Sequence, residues 1–350
     1  MTDERKPFTG KLFCGQSNVP LAKAIGAELA KFTTFDGQVD CVVRDFHDDE
    51  PDVQLTSNVR DADVFLIQST NYPGGKYLVQ LMAMANAARL ADAGKITAVM
   101  PYFGYARQDR KVRPRTPITA QAICMAIEAM GVDRILTTDL HSGQVEGMFR
   151  RAFPNLEALP LLLRAARREL QISFADVAFV SPDKGGVVRC DETGKLVGCS
   201  RVTFAHKSRS REDATIKKMR IVDPELVEGR DCLLIDDLVD TGGTLAKAAG
   251  KLKDAGARRV LALCVHPVLS RDRKTGIAAM QVLGEAPIDH LYLTDTIPLD
   301  EEQLAAHPAF RDKVRVVSSA SLLAGAIAEI HLHGSVSGIF RRTTEDIFRD

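Results

Sequence analysis

The loop that carries the most chemistry in this sequence lies between residues 236 and 244. Its acids, hydroxyl residues and glycines are Asp236, Asp237, Asp240, Thr241, Gly242, Gly243 and Thr244. The two glycines let backbone N–H groups approach an anion closely, and a helix that is predicted to begin at Thr244 adds the positive end of its dipole. Together with the hydroxyl groups of Thr241 and Thr244, these features predict a site for a phosphate group.

The acids of this loop need a separate explanation, because a carboxylate beside a phosphate is costly unless it binds something. Asp236 and Asp237 can accept hydrogen bonds from two vicinal hydroxyl groups of a ribose. The loop resembles the ribose-phosphate motif of phosphoribosyltransferases and their relatives. The alternative is that the acids only cap a turn that the glycines permit.

A second loop, 107–115, is strongly basic. Its cations are Arg107, Arg110, Lys111, Arg113 and Arg115, and Tyr102, Phe103 and Tyr105 come just before them. Forked guanidinium contacts suit a polyphosphate, and an aromatic ring or the plane of an Arg side chain can stack on a base. The alternatives are a solvated basic loop and a nucleic-acid patch, and the second is disfavoured because the rest of the chain is not basic.

Two further candidates each follow a predicted strand. His141 comes after the strand at 134–138, and Asp183 comes after the strand at 177–180. Ligands of open α/β sheets bind beyond the C-terminal ends of the strands, so both positions favour ligand binding. An imidazole and a carboxylate can share a Mg²⁺ ion directly or through water. A structural role for an isolated histidine is the alternative.

A third cationic segment follows an apolar stretch near residue 204. Lys207 and Arg209 alternate, so on an extended segment their side chains point to the same face. Two cations on one face suit a developing negative charge. The alternative is a solvated turn.

The elements that must position these residues alternate between short apolar strands and helical patterns. Strands are predicted at 64–67, 95–100, 134–138, 177–180, 232–235 and 260–265, and helices at 118–130 and 244–255. This alternation predicts an α/β protein with a largely parallel sheet. A helix, a glycine and a buried strand ending at proline occur in this order twice, at 92–101 and at 254–267. We therefore expect two domains of similar fold, joined near 153–160.

The amino-acid composition argues against several classes of protein, including general nucleic-acid binders and membrane proteins. The 350 residues are 45% hydrophobic and 26% charged, and the formal net charge is zero. This is the balance of a folded globular protein, whereas a general nucleic-acid binder would show a basic excess. Residues 1–8 lack the apolar core of a signal peptide, and the apolar runs are far shorter than the roughly 20 residues of a membrane span. Seven cysteines without a Cys-x-x-Cys pair predict reduced, buried thiols in a cytoplasmic protein and no structural zinc site.

Taken in order along the chain, these segments resemble the ribose-phosphate pyrophosphokinase family, also called phosphoribosyl pyrophosphate synthetases. The resemblance runs from about Lys11 to Phe340. It rests on the segments 67–70, 105–111, 117–120, 139–141, 180–183, 236–244, 266–270 and 335–337. It implies two similar phosphoribosyltransferase-like domains, each a mostly parallel sheet flanked by helices. An N-terminal pyrophosphokinase domain is expected at 1–157, a C-terminal phosphoribosyltransferase-like domain at 158–340 and a polar tail at 341–350.

The resemblance implies an enzyme that transfers the β,γ-pyrophosphate of Mg·ATP to the 1-hydroxyl of ribose 5-phosphate, which gives phosphoribosyl pyrophosphate and AMP. The implied ATP contacts are Asp36, Gly37, Gln38, Arg107, Gln108 and Asp109. The implied Mg²⁺ ligands are His141 and Asp183. The implied ribose 5-phosphate contacts are Arg209, Asp236, Asp237, Asp240, Thr241, Gly242, Gly243 and Thr244. Lys207 and Arg209 would stabilise the transferring group. A homo-oligomer, usually a hexamer, is implied as well.

The chain departs from the family pattern at several positions. Gln38 stands where the family usually has Glu, and a neutral amide can still hydrogen-bond to an adenine edge. Pro114 and the segment 271–273 also differ, which puts regulation in question more than chemistry. Two alternatives stay open. A phosphoribosyltransferase would share the 236–244 loop but would not need both cationic segments, and a non-catalytic regulatory paralogue would be expected to lose catalytic residues that survive here.

Overall fold

The computed structural model describes residues 5–209 and 216–348, without the side chains of 207–209 and 216–218. Among these residues the chain forms two compact units. Unit 1 comprises 5–158, 296–298 and 318–343, and unit 2 comprises 159–295, apart from 210–215, with 299–317 and 344–348. The segment 318–340, expected in the C-terminal domain, therefore clusters with unit 1. No helix in the described part of the chain is long and apolar enough to cross a membrane.

Unit 1 is built on a six-stranded sheet in which every neighbouring pair is parallel. Its strands are β1 (Lys11–Cys14), β2 (Asp40–Cys41), β5 (Asp63–Ile67), β6 (Lys95–Met100), β7 (Arg134–Thr138) and β8 (Asn155–Leu156). The order across the sheet is β2-β1-β5-β6-β7-β8. A separate antiparallel pair is formed by β3 (Val43–Asp45) and β4 (Pro51–Val53). The central strands β5 and β6 are apolar almost throughout because a parallel sheet is covered on both faces.

The helices of unit 1 cover this sheet. They are α1 (Val19–Phe32), α2 (Gly74–Leu90) and α3 (Thr119–Ala129), with a 3₁₀ turn at Gly143–Met148. Helix α1 begins where the sequence favours it, because the Asn18 side chain accepts a hydrogen bond from the backbone N–H of Leu21 at 3.2 Å.

Unit 2 is built on a seven-stranded sheet. Its strands are β9 (Val177–Ser181), β10 (Val202–Arg209), β11 (Ile216–Ile221), β12 (Asp231–Val239), β13 (Arg259–Pro267), β14 (His290–Thr294) and β15 (Val314–Val317). The order is β11-β10-β9-β12-β13-β14-β15, and every neighbouring pair is parallel except β10 with β11. The helices are α4 (Leu159–Leu170), α5 (Val187–Leu196), α6 (Gly243–Asp254), α7 (Ala279–Glu285), α8 (Glu301–Ala306) and α9 (Pro308–Lys313).

The chain after β15 forms two more helices, α10 (Ala320–His331) and α11 (Val336–Glu345), followed by a 3₁₀ turn at Asp346–Phe348. Helix α10 packs on α1, and His331 Nδ1 lies 3.0 Å from Asp63 Oδ2. The described part of the predicted polar tail, 341–348, is thus helical, and Ile347 within it is buried.

The predicted α/β class with mostly parallel sheets is confirmed. Helix α3 starts and ends within one residue of its predicted bounds. Strand β12 was predicted at 232–235 but extends to Val239, because Asp236 and Leu238 continue the parallel ladder opposite Cys264 and His266 of β13. The two acids of the loop therefore stand on the strand itself.

Candidate active site

The acid pair of unit 2 lies at the C-terminal end of β12, a central strand of the sheet. Strand β12 is paired with β9 on one side and β13 on the other, so the end of this strand is fixed from both sides. Asp237 is buried and Asp236 is partly buried. The backbone N–H of Asp237 donates to Asp236 Oδ1 at 3.0 Å, which orients the first carboxylate. The structure therefore presents two adjoining carboxylates on a rigid support.

The electrostatics of this pair are unusual for two aspartates. Burial raises the pKa of Asp236 well above the usual range of a carboxyl, and the adjacent charge of Asp237 raises it further. Asp237 is held by Arg189 of α5, whose Nη1 lies 2.9 Å from Asp237 Oδ1. The guanidinium of Arg189 opposes the rise in the pKa of Asp236. Hydroxyl groups that donate hydrogen bonds to this pair would therefore stabilise it, because they add no further negative charge.

Arg189 is a site residue that the sequence analysis missed. Its partner Asp237 lies far along the chain, on a different element, so no local pattern links the two residues. The one available signal was the position of Arg189 in α5, the helix that directly follows the Asp183 loop.

The glycine turn after β12 has the shape that an anion site requires. Gly242 caps the start of α6 with a φ of 76°, in the left-handed region that favours glycine. A Cβ added at Gly242 would lie 2.9 Å from Leu283 Cγ, so the space beside it is closed to any side chain. Because Gly242 has no side chain, it supplies no acceptor that competes with a ligand for the first N–H groups of α6. The predicted residues from Asp240 to Thr244 are thus brought together at this helix start.

Asp183 lies just beyond β9, the strand next to β12. Its Oδ1 accepts hydrogen bonds from the backbone N–H groups of Gly185 at 2.9 Å and Gly186 at 3.3 Å. The Ser181 hydroxyl donates to the carbonyl of Asp183 at 2.6 Å and fixes the same turn. Asp183 is close enough to Asp236 for its charge to raise the pKa of that carboxyl. The structure therefore brings Asp183 together with the acid pair.

In unit 1 the loop at 36–38 is shaped by local hydrogen bonds. Gly37 has a φ of 84°, and the backbone N–H of Gln38 donates to Asp36 Oδ1 at 2.9 Å. The Gln38 side chain donates through Nε2 to Asp40 Oδ1 at 3.0 Å, and Thr56 donates to the other oxygen of Asp40 at 2.6 Å. These hydrogen bonds, first that from Thr56, lower the pKa of Asp40. The amide of Gln38 therefore supplies a hydrogen-bond donor that the neighbouring carboxylate of Asp40 accepts.

The basic loop of unit 1 begins after β6 with a left-handed Tyr105, whose φ is 67°. Its carbonyl accepts from the backbone N–H of Gln108 at 2.9 Å, which closes a tight turn and leaves Arg107 and Gln108 exposed. The Thr119 hydroxyl at the start of α3 donates to Gln108 Oε1 at 2.6 Å. Gln108, the central residue of the three predicted ATP contacts, is thus anchored to the beginning of a helix.

His141 is an exposed residue of unit 1, three positions after the end of β7. The backbone before it is fixed by Asp139, which has a φ of 39° and accepts from the backbone N–H of Ala158 at 2.7 Å through Oδ2. The backbone N–H of Leu140 donates to Asn155 Oδ1 at 3.1 Å. His141 therefore projects from a turn that is tied to the last strand of its sheet.

Lys207 and Arg209, the predicted catalytic cations, lie on β10 of unit 2. Their backbones pair with Met219 and Ile216 of β11, and the register shifts between Ser208 and Arg209. The side chains of both residues lie outside the described part of the structure.

With this geometry established, comparison with known proteins decides the family. Residues 10–131 match the model of the N-terminal domain of ribose phosphate pyrophosphokinase, and residues 154–279 match the phosphoribosyl transferase domain. A ribose-phosphate pyrophosphokinase of Haemophilus influenzae is 43% identical over 331 residues, covering 94% of this chain and 98% of the relative. The chain belongs to the ribose-phosphate pyrophosphokinase family. A second member, from Pasteurella multocida, is 42% identical over the same length.

A solved structure agrees with this assignment. The phosphoribosylpyrophosphate synthetase from Mycobacterium smegmatis superposes with a TM-score of 0.80 at 32% identity, covering 94% of this chain and 100% of that one. The family resemblance and the prediction of two phosphoribosyltransferase-like domains with mostly parallel sheets are therefore confirmed.

Proposed function

We propose that this protein is an enzyme that transfers the β,γ-pyrophosphate of ATP to the 1-hydroxyl of ribose 5-phosphate, which gives phosphoribosyl pyrophosphate and AMP. The observation that carries the proposal is the adjoining carboxylate pair Asp236 and Asp237, which leads directly into the left-handed Gly242 and the start of α6. This arrangement offers acceptors for a sugar diol and donors for a phosphate within nine residues, in a chain of the matching family.

Ribose 5-phosphate is the ligand for which the unit 2 loop is suited. The 5-phosphate accepts hydrogen bonds from the N–H groups of the Gly242 turn and from the hydroxyls of Thr241 and Thr244, with the dipole of α6 behind them. The ribose hydroxyls donate to Asp236 and Asp237. With both ends of the sugar phosphate held, the 1-hydroxyl is free to attack the β-phosphorus of ATP, and AMP leaves.

ATP is assigned to the two loops of unit 1. The exposed Arg107, with Gln108 and Asp109, suits a triphosphate, because a guanidinium forms forked contacts to phosphate oxygens. The 36–38 loop suits the adenine, since the Gln38 amide offers both a donor and an acceptor.

A divalent cation suits the acids of unit 2. Asp183 is fixed by two backbone N–H groups, and its charge adds to those of Asp236 and Asp237, so this region concentrates negative charge on hard oxygen atoms. Mg²⁺ prefers oxygen ligands and keeps several waters that bridge to phosphates. We assign Asp183 and His141 as its ligands. When bound, Mg²⁺ neutralises charge on the polyphosphate.

Lys207 and Arg209 are assigned to stabilise the transferring group. Phosphoryl transfer is mainly positioning and charge neutralisation, so a cation that meets the transferring phosphorus group is needed most in the transition state. We expect Lys207→Ala to lower kcat by about 100- to 1,000-fold while the melting temperature stays unchanged. Steady-state kinetics with thermal unfolding measure this, and near-normal kcat would remove Lys207 from the mechanism.

The reaction itself is tested by AMP release from ATP and Mg²⁺, with and without ribose 5-phosphate. We expect AMP only with the sugar phosphate, in equal amount to phosphoribosyl pyrophosphate. Release of inorganic phosphate and ADP instead of AMP would contradict pyrophosphate transfer. Absence of AMP at every phosphate concentration would point to the regulatory paralogue.

The family resemblance also supports a cytoplasmic homohexamer with ATP and ribose 5-phosphate as its ligands. Light scattering of the purified chain measures the assembly directly, and a monomer that retains full activity would contradict an assembled active form.

A further inference from the structure

Two cysteines of unit 1 are neighbours on adjacent strands. Cys14 ends β1, Cys41 ends β2, and the two residues stand opposite each other in the parallel register. Each thiol shifts the pKa of the other, which places the two side chains close together. Cys14 is buried, whereas Cys41 is the single exposed cysteine among seven that all lie in the described ranges. The pair therefore joins a sulfur that solvent reaches to one that it does not.

The two sulfurs differ in their protonation. The neighbouring Cys14 thiol lowers the pKa of Cys41 to about 6, although partial burial acts in the opposite direction, and the charge of Lys23 also lowers it. The neighbouring Cys41 thiol, together with burial, raises the pKa of Cys14 well above its usual value. One thiolate and one thiol thus coexist at neutral pH, with the thiolate on the exposed residue. The thiolate is the nucleophilic form of cysteine.

We propose that Cys14 and Cys41 form a peroxide-reactive dithiol that closes to an intramolecular disulfide. The Cys41 thiolate attacks one oxygen of hydrogen peroxide, which breaks the O–O bond, leaves Cys41 as a sulfenic acid and releases hydroxide that is protonated to water. The Cys14 sulfur then attacks the Cys41 sulfur, forms the S–S bond and expels the hydroxyl group as a second water. Two thiols lose two electrons and two protons to one peroxide, and a small dithiol reductant reverses the change.

The backbone permits this bond. Neighbouring strands lie about 4.7–4.9 Å apart, which is within the Cα separation of about 4.4–6.8 Å that disulfides span. Strand β2 is only two residues long and is the edge strand of its sheet, with β1 as its one neighbouring strand, so it can shift toward the shorter Cβ separation that an S–S bond prefers.

The buried cysteines elsewhere in the described residues are expected to be less reactive than the Cys14–Cys41 pair. Burial raises the pKa of Cys124 and of Cys232 to about 12, so neither is ionised at neutral pH. Structural thiols of this kind are inert toward peroxide. Reaction confined to Cys14 and Cys41 is therefore a specific expectation.

The test uses the full-length reduced protein, one equivalent of hydrogen peroxide at pH 7, then alkylation under denaturing conditions with intact-mass and peptide mapping. We expect two fewer alkylated cysteines, a single cross-link between the Cys14 and Cys41 peptides in a monomer-mass chain, and full recovery with dithiothreitol. Cys124→Ser should still form the cross-link. In Cys14→Ser, Cys41 should remain as a sulfenic acid that dimedone traps.

Peptide mapping of the peroxide-treated wild-type protein tests the proposal without any variant. If both thiols stay alkylatable after peroxide, if Cys41 is oxidised while Cys14 is not, or if the cross-link joins two chains, the proposal is overturned. The readout is a covalent bond, so it is independent of the enzymatic activity proposed above.

Discussion

At the scale of single residues, the acid pair depends on a cation that does not itself belong to the 236–244 loop. Arg189 holds the buried Asp237 at 2.9 Å, and its charge counters the mutual repulsion of Asp236 and Asp237. Truncating one partner of such a pair typically costs about 2–5 kcal/mol, much of it from leaving the other charge unpaired. Arg189 therefore positions the two acids that we propose as the sugar-binding residues.

We predict that Arg189→Met lowers kcat/KM for ribose 5-phosphate by about 10- to 100-fold, with Arg189→Lys intermediate because an ammonium keeps the positive charge but not the geometry of the guanidinium. Loss of the guanidinium also removes the influence that lowers the pKa of Asp236, so the acidic limb of the pH–rate profile should move to higher pH. Steady-state kinetics between pH 5 and 9 measure both effects.

The matched control lies on the same helix. Lys195 pairs with Asp191 at 2.6 Å, but both side chains are largely exposed, and exposed ion pairs contribute little. Lys195→Met should leave the kinetics unchanged. Wild-type kinetics in Arg189→Met would show that Asp237 needs no counter-charge.

A second residue-scale prediction concerns Gln38, where the family usually has Glu. Because Gln38 Nε2 donates to Asp40, Gln38→Glu would place two carboxylates together. Repulsion between exposed charges at this distance is worth about 1 kcal/mol, so the KM for ATP should rise by about 2- to 5-fold. The double variant Gln38→Glu with Asp40→Asn restores a donor–acceptor pair and should recover most of the loss. Full loss in the double variant would mean that the Gln38 amide contacts ATP directly in a way that Glu cannot reproduce.

At the scale of elements, the start of α6 depends on the backbone of one glycine. Gly242→Ala would force a side chain into a left-handed conformation and place a Cβ 2.9 Å from Leu283 Cγ. We expect the free energy of unfolding to fall by about 1–3 kcal/mol and the affinity for ribose 5-phosphate to fall with it. Urea unfolding and ligand titration measure the two effects.

The control for this change is in the same helix. A Cβ at Gly250 would meet no atom within 4 Å, so Gly250→Ala should stabilise α6 by about 0.5–1 kcal/mol without changing affinity. Equal stability of the two variants would show that the φ of Gly242 carries no strain for alanine.

The elements also show what the sequence could and could not predict. The glycines and acids of 236–244 were found because their residue types are unusual and contiguous, and the order of strands and helices followed from apolar runs. The true length of β12 was missed, because Asp236 and Asp237 interrupt its apolar run before Leu238 and Val239, whereas the backbone ladder to β13 continues to Val239. Arg189 was missed because its partner is distant in sequence. The separation of 318–340 from unit 2 depends on the packing of α10 on α1, which the amphipathic pattern of either helix does not specify.

At the scale of the whole molecule, the two ends of β12 have different roles: one end carries the acids of the candidate site, and the other carries an ion-pair cluster that stabilises the fold. Its C-terminal end carries Asp236 and Asp237, whereas its first residue, Asp231, is 2% exposed at the side chain and is bound by two arginines at the start of β13. Arg258 contacts both oxygens of Asp231 at 2.8 Å, and Arg259 adds a third contact at 2.5 Å. In a parallel sheet the starts of neighbouring strands lie at the edge away from the ligands. This cluster therefore ties the two central strands together without touching substrate.

The pH dependence of stability follows from this cluster. Burial alone would raise the pKa of Asp231, but the hydrogen bonds and charges of Arg258 and Arg259 outweigh it and hold that pKa far below its usual value. A group whose pKa is lowered by folding stabilises the protein above its unfolded pKa, about 4 for aspartate, and loses that contribution as the pH falls toward the lowered native value. Asp231→Asn should thus lower the free energy of unfolding by about 1.5–3 kcal/mol at pH 7, and the difference from wild type should shrink below about pH 4. Denaturation from pH 3 to 7 measures it.

Asp254 supplies the matched control for the same substitution, since it pairs with Lys251 at 2.7 Å on the exposed side of α6. Asp254→Asn should change stability by less than about 0.5 kcal/mol at every pH. Because Asp231 lies at the far end of β12 from the acid pair, Asp231→Asn should also leave the KM for ribose 5-phosphate unchanged while the protein remains folded. A rise in KM without loss of stability would mean that the register of β12 transmits changes from its first residue to Asp236 and Asp237, and that stability and chemistry are not separate in this strand.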